Sequence, residues 1–405
     1  MTPRFRIFPP IFCALLIGMA SGARSINFAV FFFIPVVWFM APSRFAAYLA
    51  AFVFYLSVSY GIVASAPIYF DLGANIWRTV RYLSLLWVGS SLTLALPWGL
   101  LWTDMEAPFR SKALRLLGVL VLVAFPPLGM WGWGNPLLCA GYLLPRTREA
   151  GIVLLLLVWP ALWHCARKNR YGSRGAFWAA IAVIALYAAY MSPSQRLQAR
   201  TAEDWQGLYT PFGLLYSGSS DAMSAYMRYR MLSVVLEKTT AKYVVLPETI
   251  AGWWGSPTED LWRPTTELFA SQGRTLFVGA ETALRGTKKY YNVVQIRGNN
   301  HGTVEQRCPV PIGMWNPFRE KSVVANWFGG TGIAEIDGLS VGILVCYEPY
   351  LYYPCLVTLT RRPDVLVVVS NSWWSRTTNI PLLSDKSVTS WALLFDVPLV
   401  LSKNI

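Results

Sequence analysis

Histidine is almost missing from this chain, with two residues, His164 and His301, in 405. The six cysteines (Cys13, Cys139, Cys165, Cys308, Cys346 and Cys355) include no Cys-x-x-Cys pair. Zinc sites need such residues clustered at short spacings, so no metal site is expected. Charge is scarce too: 14% of residues are charged and 55% hydrophobic, against about 25% charged in soluble domains. That balance excludes an ordinary cytosolic globule, and the apolar excess excludes a disordered chain. Acidic residues are outnumbered, 21 to 35, leaving a net charge of +14. A basic balance can serve nucleic acid. Here the basic clusters lie between apolar runs, where cytoplasmic loops of membrane proteins collect Lys and Arg. No nucleic-acid-binding signature accompanies them, so no direct nucleic-acid contact is expected.

The apolar residues concentrate before residue 193. Runs near 8–22, 26–42, 45–65, 83–103, 115–133, 150–166 and 176–192 are long enough to count as seven membrane spans. The stretch 134–146 is too short to cross and reads as a re-entrant or interfacial piece. Arg4 and Arg6 before the first run would suit a secretory signal, but further spans follow at once and favour a first transmembrane helix. Arg44, then Arg110, Lys112 and Arg115, then Arg167, Lys168, Arg170 and Arg174 fall on the side of the N-terminus if the spans alternate. That side is expected to be cytoplasmic, although Arg24, Arg78, Arg81, Arg146 and Arg148 fall opposite. The expectation is a polytopic α-helical bundle over 1–192 in a bacterial inner membrane, with a periplasmic domain over 193–405. In that compartment Cys308, Cys346 and Cys355 could include one disulfide, whose pairing the spacing leaves open.

Beyond residue 200 the texture changes. YVVLPE (243–248), TLFVGAE (275–281), YNVVQIRG (291–298), LSVGILVCYE (339–348), DVLVVVSNS (364–372) and VPLVLS (397–402) are short β-branched runs bounded by turn residues, the pattern of buried strands. Between the first strands and the transmembrane half, 221–239 carries apolar residues at three- and four-residue steps and predicts a helix. Alternating strands and helices imply an α/β domain.

Three of these strands end in polar residues that a buried sheet does not need: Glu248, then Cys346 with Tyr347 and Glu348, then Asn371 with Trp373 and Trp374. Ligands of open α/β sheets sit beyond the carboxyl ends of strands. A thiol and a carboxylate delivered there supply covalent catalysis: the sulfur attacks an acyl carbon and the carboxylate takes and returns the proton. Taken singly each has an ordinary reading. Cys346 suits a core, Glu248 a helix start, Asn371 a turn, and the tryptophans a core or a membrane interface.

Together, LPE (246–248), VCYE (345–348) and SNSWW (370–374) resemble the carbon–nitrogen hydrolase (nitrilase) superfamily over about 200–405. With several spans in front, the likeness is to its apolipoprotein N-acyltransferase-like branch. YNVVQIRG (291–298), CPVPIGMWNP (308–317) and NSWW (371–374) narrow it to membrane-anchored conjugal transfer proteins of Ti-type plasmids. The resemblance implies a nitrilase-like α-β-β-α sandwich and a Glu–Lys–Cys triad without cofactor. Glu248 matches the general base, Cys346 the nucleophile and Glu348 a supporting carboxylate, with Asn371, Trp373, Trp374 and Tyr347 at the substrate.

The triad lysine does not match. In the acyltransferase branch it opens a motif reading Lys-Arg-His-Leu-Val-Pro-Phe-Gly-Glu; here the stretch runs from Gln306 and Arg307 to Met314. Losing one oxyanion donor slows acyl transfer by about 100- to 1,000-fold. Gln306 brings a donor without charge. Arg307, Lys321, Lys288 and Lys289 are the nearby cations, although Arg307 would point to the opposite face of a strand from residue 306. The family also continues past VPLVLS into another strand and tail, whereas this chain stops at Ile405, so an edge of the sandwich or part of a dimer contact is expected to be missing.

Two functions from different classes follow from the resemblance. One is an acyl-transfer or amide-hydrolysing enzyme working through a Cys346 thioester, with a membrane phospholipid as acyl donor and an amine as acceptor, assisting plasmid conjugal transfer. The other is a catalytically impaired nitrilase-like scaffold that binds an envelope or conjugation-apparatus protein. A transporter is disfavoured, because the apolar runs hold almost no charge.

Overall fold

The computed structural model describes residues 7–73, 75–104, 107–168, 199, 201–213 and 222–405. The chain divides into two compact units. The first spans Met1–Gln198 and takes in Tyr350–Tyr353 and Thr377–Asp396; the second comprises Ala199–Pro349, Pro354–Arg376 and Val397–Ile405.

The first unit is helical. Its long helices are α1 (Phe8–Ser21), α2 (Phe33–Met40), α3 (Arg44–Val58), α4 (Gly61–Tyr69), α5 (Ile76–Leu100), α6 (Phe109–Ala124), α7 (Cys139–Leu143) and α8 (Glu149–Lys168). All but α7 fall on the first six apolar runs, and α7 lies in the short stretch 134–146; the seventh run, 176–192, lies outside the described residues. Among the described residues α5 alone is a candidate span by length and composition, and α3 with α4 makes a second if that pair, bent by 55°, is counted as one. Helix packing rests on small residues: a Cβ on Gly18 of α1 would stand 1.9 Å from the Ser57 hydroxyl of α3. Only glycine lets the two backbones approach so closely. Buried hydroxyls return to their own helix, Ser57 to Val53 O at 2.7 Å, Ser59 to Tyr55 O at 2.7 Å and Ser65 to Gly61 O at 2.7 Å.

The second unit begins with β1 (Trp205–Gly207) and β2 (Tyr209–Thr210), then α9 (Ala222–Lys238), β3 (Tyr243–Val245), α10 (Ser256–Ser271), β4 (Thr275–Ala283), β5 (Tyr290–Gly298) and β6 (Gly302–Glu305). It continues with β7 (Ile333–Ile336), β8 (Leu339–Val345), α11 (Tyr352–Leu359) and β9 (Val365–Asn371), and closes with β10 (Leu399–Asn404). Among the described residues the strands form two five-stranded sheets, β1-β3-β4-β5-β6 and β2-β10-β9-β8-β7. Alternate residues of each strand face opposite sides. Tyr243, Val245, Phe277, Val294 and Ile296 of one sheet therefore meet Val341, Ile343, Val345, Val367 and Val369 of the other in a shared core. On the other side of the first sheet, Tyr229, Leu232 and Leu236 of α9 and Trp262 and Phe269 of α10 cover Val244, Leu276 and Val278. This is the helix-sheet-sheet layering expected of the sandwich.

The sandwich differs from expectation in two places. The final helix, α12 (Ile380–Phe395), groups with the first unit. There Tyr142 donates to Lys386 O at 3.0 Å, and the Lys386 ammonium donates to Ser21 O and Ala23 O, both at 2.6 Å. Its burial on almost every side explains the assignment, since such a helix packs wherever it finds apolar neighbours. Strand β10 is not an edge either: β9 and the two-residue β2 flank it, both parallel.

Candidate active site

The site lies at one end of the gap between the two sheets. Leu246 N–H still pairs with Phe277 O at 2.8 Å as β3 gives out, and the chain then turns across β4. A Cβ on Gly279 would stand 2.1 Å from Pro247 O and 2.5 Å from Glu248 Cα, so the bare glycine is what lets Glu248 lie against the sheet. Glu248 is 3% exposed. Its carboxylate accepts from the Asn292 side-chain amide at 2.7 Å and from Asn371 N–H at 2.8 Å, and it is hydrogen-bonded to the Cys346 thiol. Burial disfavours the charged form, and those donors recover part of the loss. The net effect lifts the carboxyl to about 7.

Cys346 follows directly on β8. Its backbone sits in the left-handed region at φ 59°, with its N–H on Val369 O at 2.9 Å. A non-glycine residue there costs on the order of 1–2 kcal/mol. Thr249, at φ 51°, and Ile312, at φ 67°, add strained turns on either side of the site. Strain of this kind persists where the surroundings over-determine the geometry, and it clusters at functional sites. The Cys346 sulfur is half-buried and lies 3.8 Å from the Met314 sulfur. Burial, then the negative charge of Glu248 and its hydrogen bond, then the charge of Glu348, push the thiol well above its ordinary range, while the Tyr347 backbone N–H works in the opposite direction. The resting pair is therefore thiol and carboxylate above pH 7, and the sulfur gains its charge only as its proton passes to Glu248.

The residues around the missing lysine are rewired. Gln306, 2% exposed, accepts from the same Asn292 amide at 3.0 Å and donates to Cys308 O at 3.3 Å. Arg307 points the other way. Its Nε donates to Glu348 at 3.1 Å and its Nη2 donates to Glu348 at 3.3 Å and to Thr358 at 3.0 Å. Glu348 also accepts the backbone N–H groups of Arg307, Cys308 and Val345, at 2.7, 3.3 and 3.1 Å. The expectation of Arg307 as an oxyanion cation is thus corrected: its guanidinium is spent on Glu348, and the two together clamp the turn that carries Cys346. Lys321 is exposed, and its charge acts on Glu281.

Asn371 holds Glu248. Beyond its N–H on Glu248, its side chain donates to Thr249 at 3.2 Å and accepts from Asn404 at 3.0 Å. Trp374 donates to Asn371 O at 3.0 Å, and Trp373 is half-buried beside it. Tyr347 is 3% exposed, and what it offers the sulfur is its backbone. Sequence reasoning missed Asn292, 1% exposed, whose amide ties Glu248 to Gln306. Its signal was a polar residue in the buried YNVVQIRG strand. Among the described residues no cluster could hold a metal ion, and Cys308, Cys346 and Cys355 are free thiols.

No family model matches the chain. Its relatives include a probable conjugal transfer protein TraB of Sinorhizobium fredii, 26% identical over 397 residues, covering 96% of this chain and 95% of that protein. The conjugal transfer protein TraB of Agrobacterium fabrum is 25% identical over 416 residues, 96% of this chain and 90% of the relative. An apolipoprotein N-acyltransferase of Pseudomonas syringae is 26% identical over 157 residues, 35% of this chain and 31% of that one. A crystal structure of a carbon-nitrogen hydrolase from Helicobacter pylori G27 matches 49% of this chain and 71% of its own, at 15% identity and a TM-score of 0.35.

Proposed function

From a chain that resembles TraB conjugal transfer proteins along nearly its whole length, and the apolipoprotein N-acyltransferase-like branch of the carbon–nitrogen hydrolases in its motifs, we propose a membrane-anchored acyltransferase of plasmid conjugal transfer. The observation that carries this reading is Glu248, at about pKa 7, hydrogen-bonded to the Cys346 thiol on a strained turn. A carboxyl near neutrality takes a proton from an attacking thiol and returns it to a leaving group with little penalty in either direction. The acyl donor is a membrane phospholipid and the acceptor an amine.

Membrane anchoring draws support from the first unit. Phe8, Phe12, Trp77, Leu100, Leu114 and Leu157 face outward, while serines turn inward onto their own helices' carbonyls. Lipid rewards that inverted pattern, because it offers unsatisfied polar groups nothing. The bundle sits in a bacterial inner membrane as a multi-pass anchor, with the second unit in the periplasm.

The test is intact-mass analysis of the full chain in phosphatidylethanolamine nanodiscs. An adduct of one acyl chain, cleaved by hydroxylamine and lost in Cys346→Ala, is the expected result. A chain that stays unmodified by phospholipid and by p-nitrophenyl acyl esters overturns it. A second reading, a scaffold that binds an envelope or conjugation-apparatus protein, is favoured by Gln306 in place of the lysine and by Met314 against the sulfur. Wild-type transfer frequency with Cys346→Ala would establish it, and loss of transfer with normal expression would refute it.

A further inference from the structure

An acyl transfer through Cys346 needs a donor for the oxygen that becomes negative when sulfur adds to the carbonyl. The lysine expected to supply it is absent, Gln306 is engaged with Asn292 and Cys308 O, and Arg307 is engaged with Glu348. Strand β5 offers another group. Tyr290 stands two residues before Asn292 and so shares its face, the one that looks into the gap between the sheets. Across the ladder on that same face, Glu281 pairs with Asn292. The Trp253 ring packs edge-on against Tyr290 with centroids 5.3 Å apart, fixing the phenol's direction. The backbone beside it is held by Val324 N–H on Tyr290 O at 2.8 Å. Tyr290 is half-buried, and among the described residues its hydroxyl has no hydrogen-bond partner.

We infer that the Tyr290 phenol is the oxyanion donor of this site, a neutral hydroxyl doing at Cys346 what the lysine does elsewhere in the resembled family. This rests on the acyl-transfer reading and adds a catalytic residue to it. In the step, the thiol proton passes to Glu248 as the S–C bond forms. The carbonyl π electrons move onto oxygen, which accepts the Tyr290 O–H. Collapse restores the carbonyl and breaks the bond to the leaving alkoxide, which takes the proton from Glu248. The phenol stays protonated throughout. Burial raises it first, and the charges of Glu281, Glu248 and Cys346 raise it further, so it ionises only far above neutrality. The carboxylates of Glu281 and Glu248 oppose formation of a phenolate, so Tyr290 keeps the proton with which it donates.

The experiment compares the full-length wild type, Tyr290→Phe and Lys321→Met in two reactions. Acylation by a p-nitrophenyl ester passes through an oxyanion, whereas alkylation of Cys346 by iodoacetamide does not. Tyr290→Phe is expected to slow acylation by about 100- to 1,000-fold while leaving Cys346 alkylation within twofold of wild type. Lys321→Met asks whether that ammonium is the donor instead. Equal acylation by wild type and Tyr290→Phe overturns the inference and leaves the acyl-transfer reading standing. So does a loss confined to Lys321→Met, which would make that ammonium the donor. A fall of both rates in Tyr290→Phe also overturns it, since the tyrosine would then be holding the fold. Absence of acylation in the wild type overturns the inference and the reading together.

Discussion

Restoring a lysine at position 306 tests how the site compensates for its absence. Gln306→Lys would put an ammonium beside Asn292, whose amide nitrogen lies 3.0 Å from the glutamine oxygen and 2.7 Å from Glu248. The amide would have to turn, and its buried Oδ1, which has no hydrogen-bond partner among the described residues, is then free to accept from the lysine. An opposite charge at about 4–6 Å lowers a pKa by about 1–3 units. That raises the thiolate fraction of Cys346 at pH 7 by about 10- to 1,000-fold, since the thiol starts well above its ordinary range. Intrinsic nucleophilicity falls with pKa, with a Brønsted slope of about 0.4–0.5, which returns roughly half the gain on a logarithmic scale. The net prediction is Cys346 alkylation about 3- to 30-fold faster than wild type. Iodoacetamide labelling under pseudo-first-order conditions, read on the Cys346 peptide because Cys13 is also exposed, measures it. Gln306→Met, similar in length and uncharged, should show no gain. A folded Gln306→Lys chain alkylated at the wild-type rate would refute the idea that residue 306 addresses the sulfur.

Two further outcomes follow from the same geometry. Arg307→Met leaves Glu348, with its side chain 1% exposed, as an unpaired buried charge; breaking such a pair costs about 3–5 kcal/mol. At about 2–4 °C per kcal/mol for a domain of this size, the melting temperature falls by roughly 6–20 °C. The double variant Arg307→Met/Glu348→Gln, with no charge left, should melt above the single one by differential scanning fluorimetry. Gly279→Ala drives a Cβ against Pro247 O, 2.1 Å away, and displaces Glu248. A misplacement of about 1 Å costs on the order of 100-fold in rate, so ester acylation of Cys346 should fall by that factor while the circular dichroism spectrum is retained.

Cys346 and Glu248 stood out in the sequence because each sits in a short string that announces a buried strand and then breaks with a chemically costly residue. The strands themselves were legible for the same reason: β4, β5, β8, β9 and β10 each fall on a β-branched run. What the sequence hid was pairing over distance. Arg307 and Glu348 are 41 residues apart, and nothing local says that a cation beside the lysine position will be consumed by a carboxylate beside the nucleophile. Asn292 was hidden by its setting, since one amide in an apolar strand declares a buried partner without naming it. The short strands β1, β2, β6 and β7 carry too few residues for periodicity to register; their places come from parallel or antiparallel register with longer neighbours. Helix α12 was missed because it is buried on nearly every side, with Ser384, Lys386, Ser387 and Ser390 among its apolar residues, and so has no amphipathic stripe to read.

The central claim is that Glu248 takes the proton from Cys346, and the pH profile of Cys346 alkylation tests it most directly. Below about 7 the Glu248 carboxyl is protonated and has no room for the thiol proton; above it the carboxylate is ready. Wild type should therefore show a rate rising through an inflection near pH 7, and Glu248→Gln should lose that inflection, reacting only as the thiol ionises at much higher pH. Superimposable profiles for the two proteins would contradict the account.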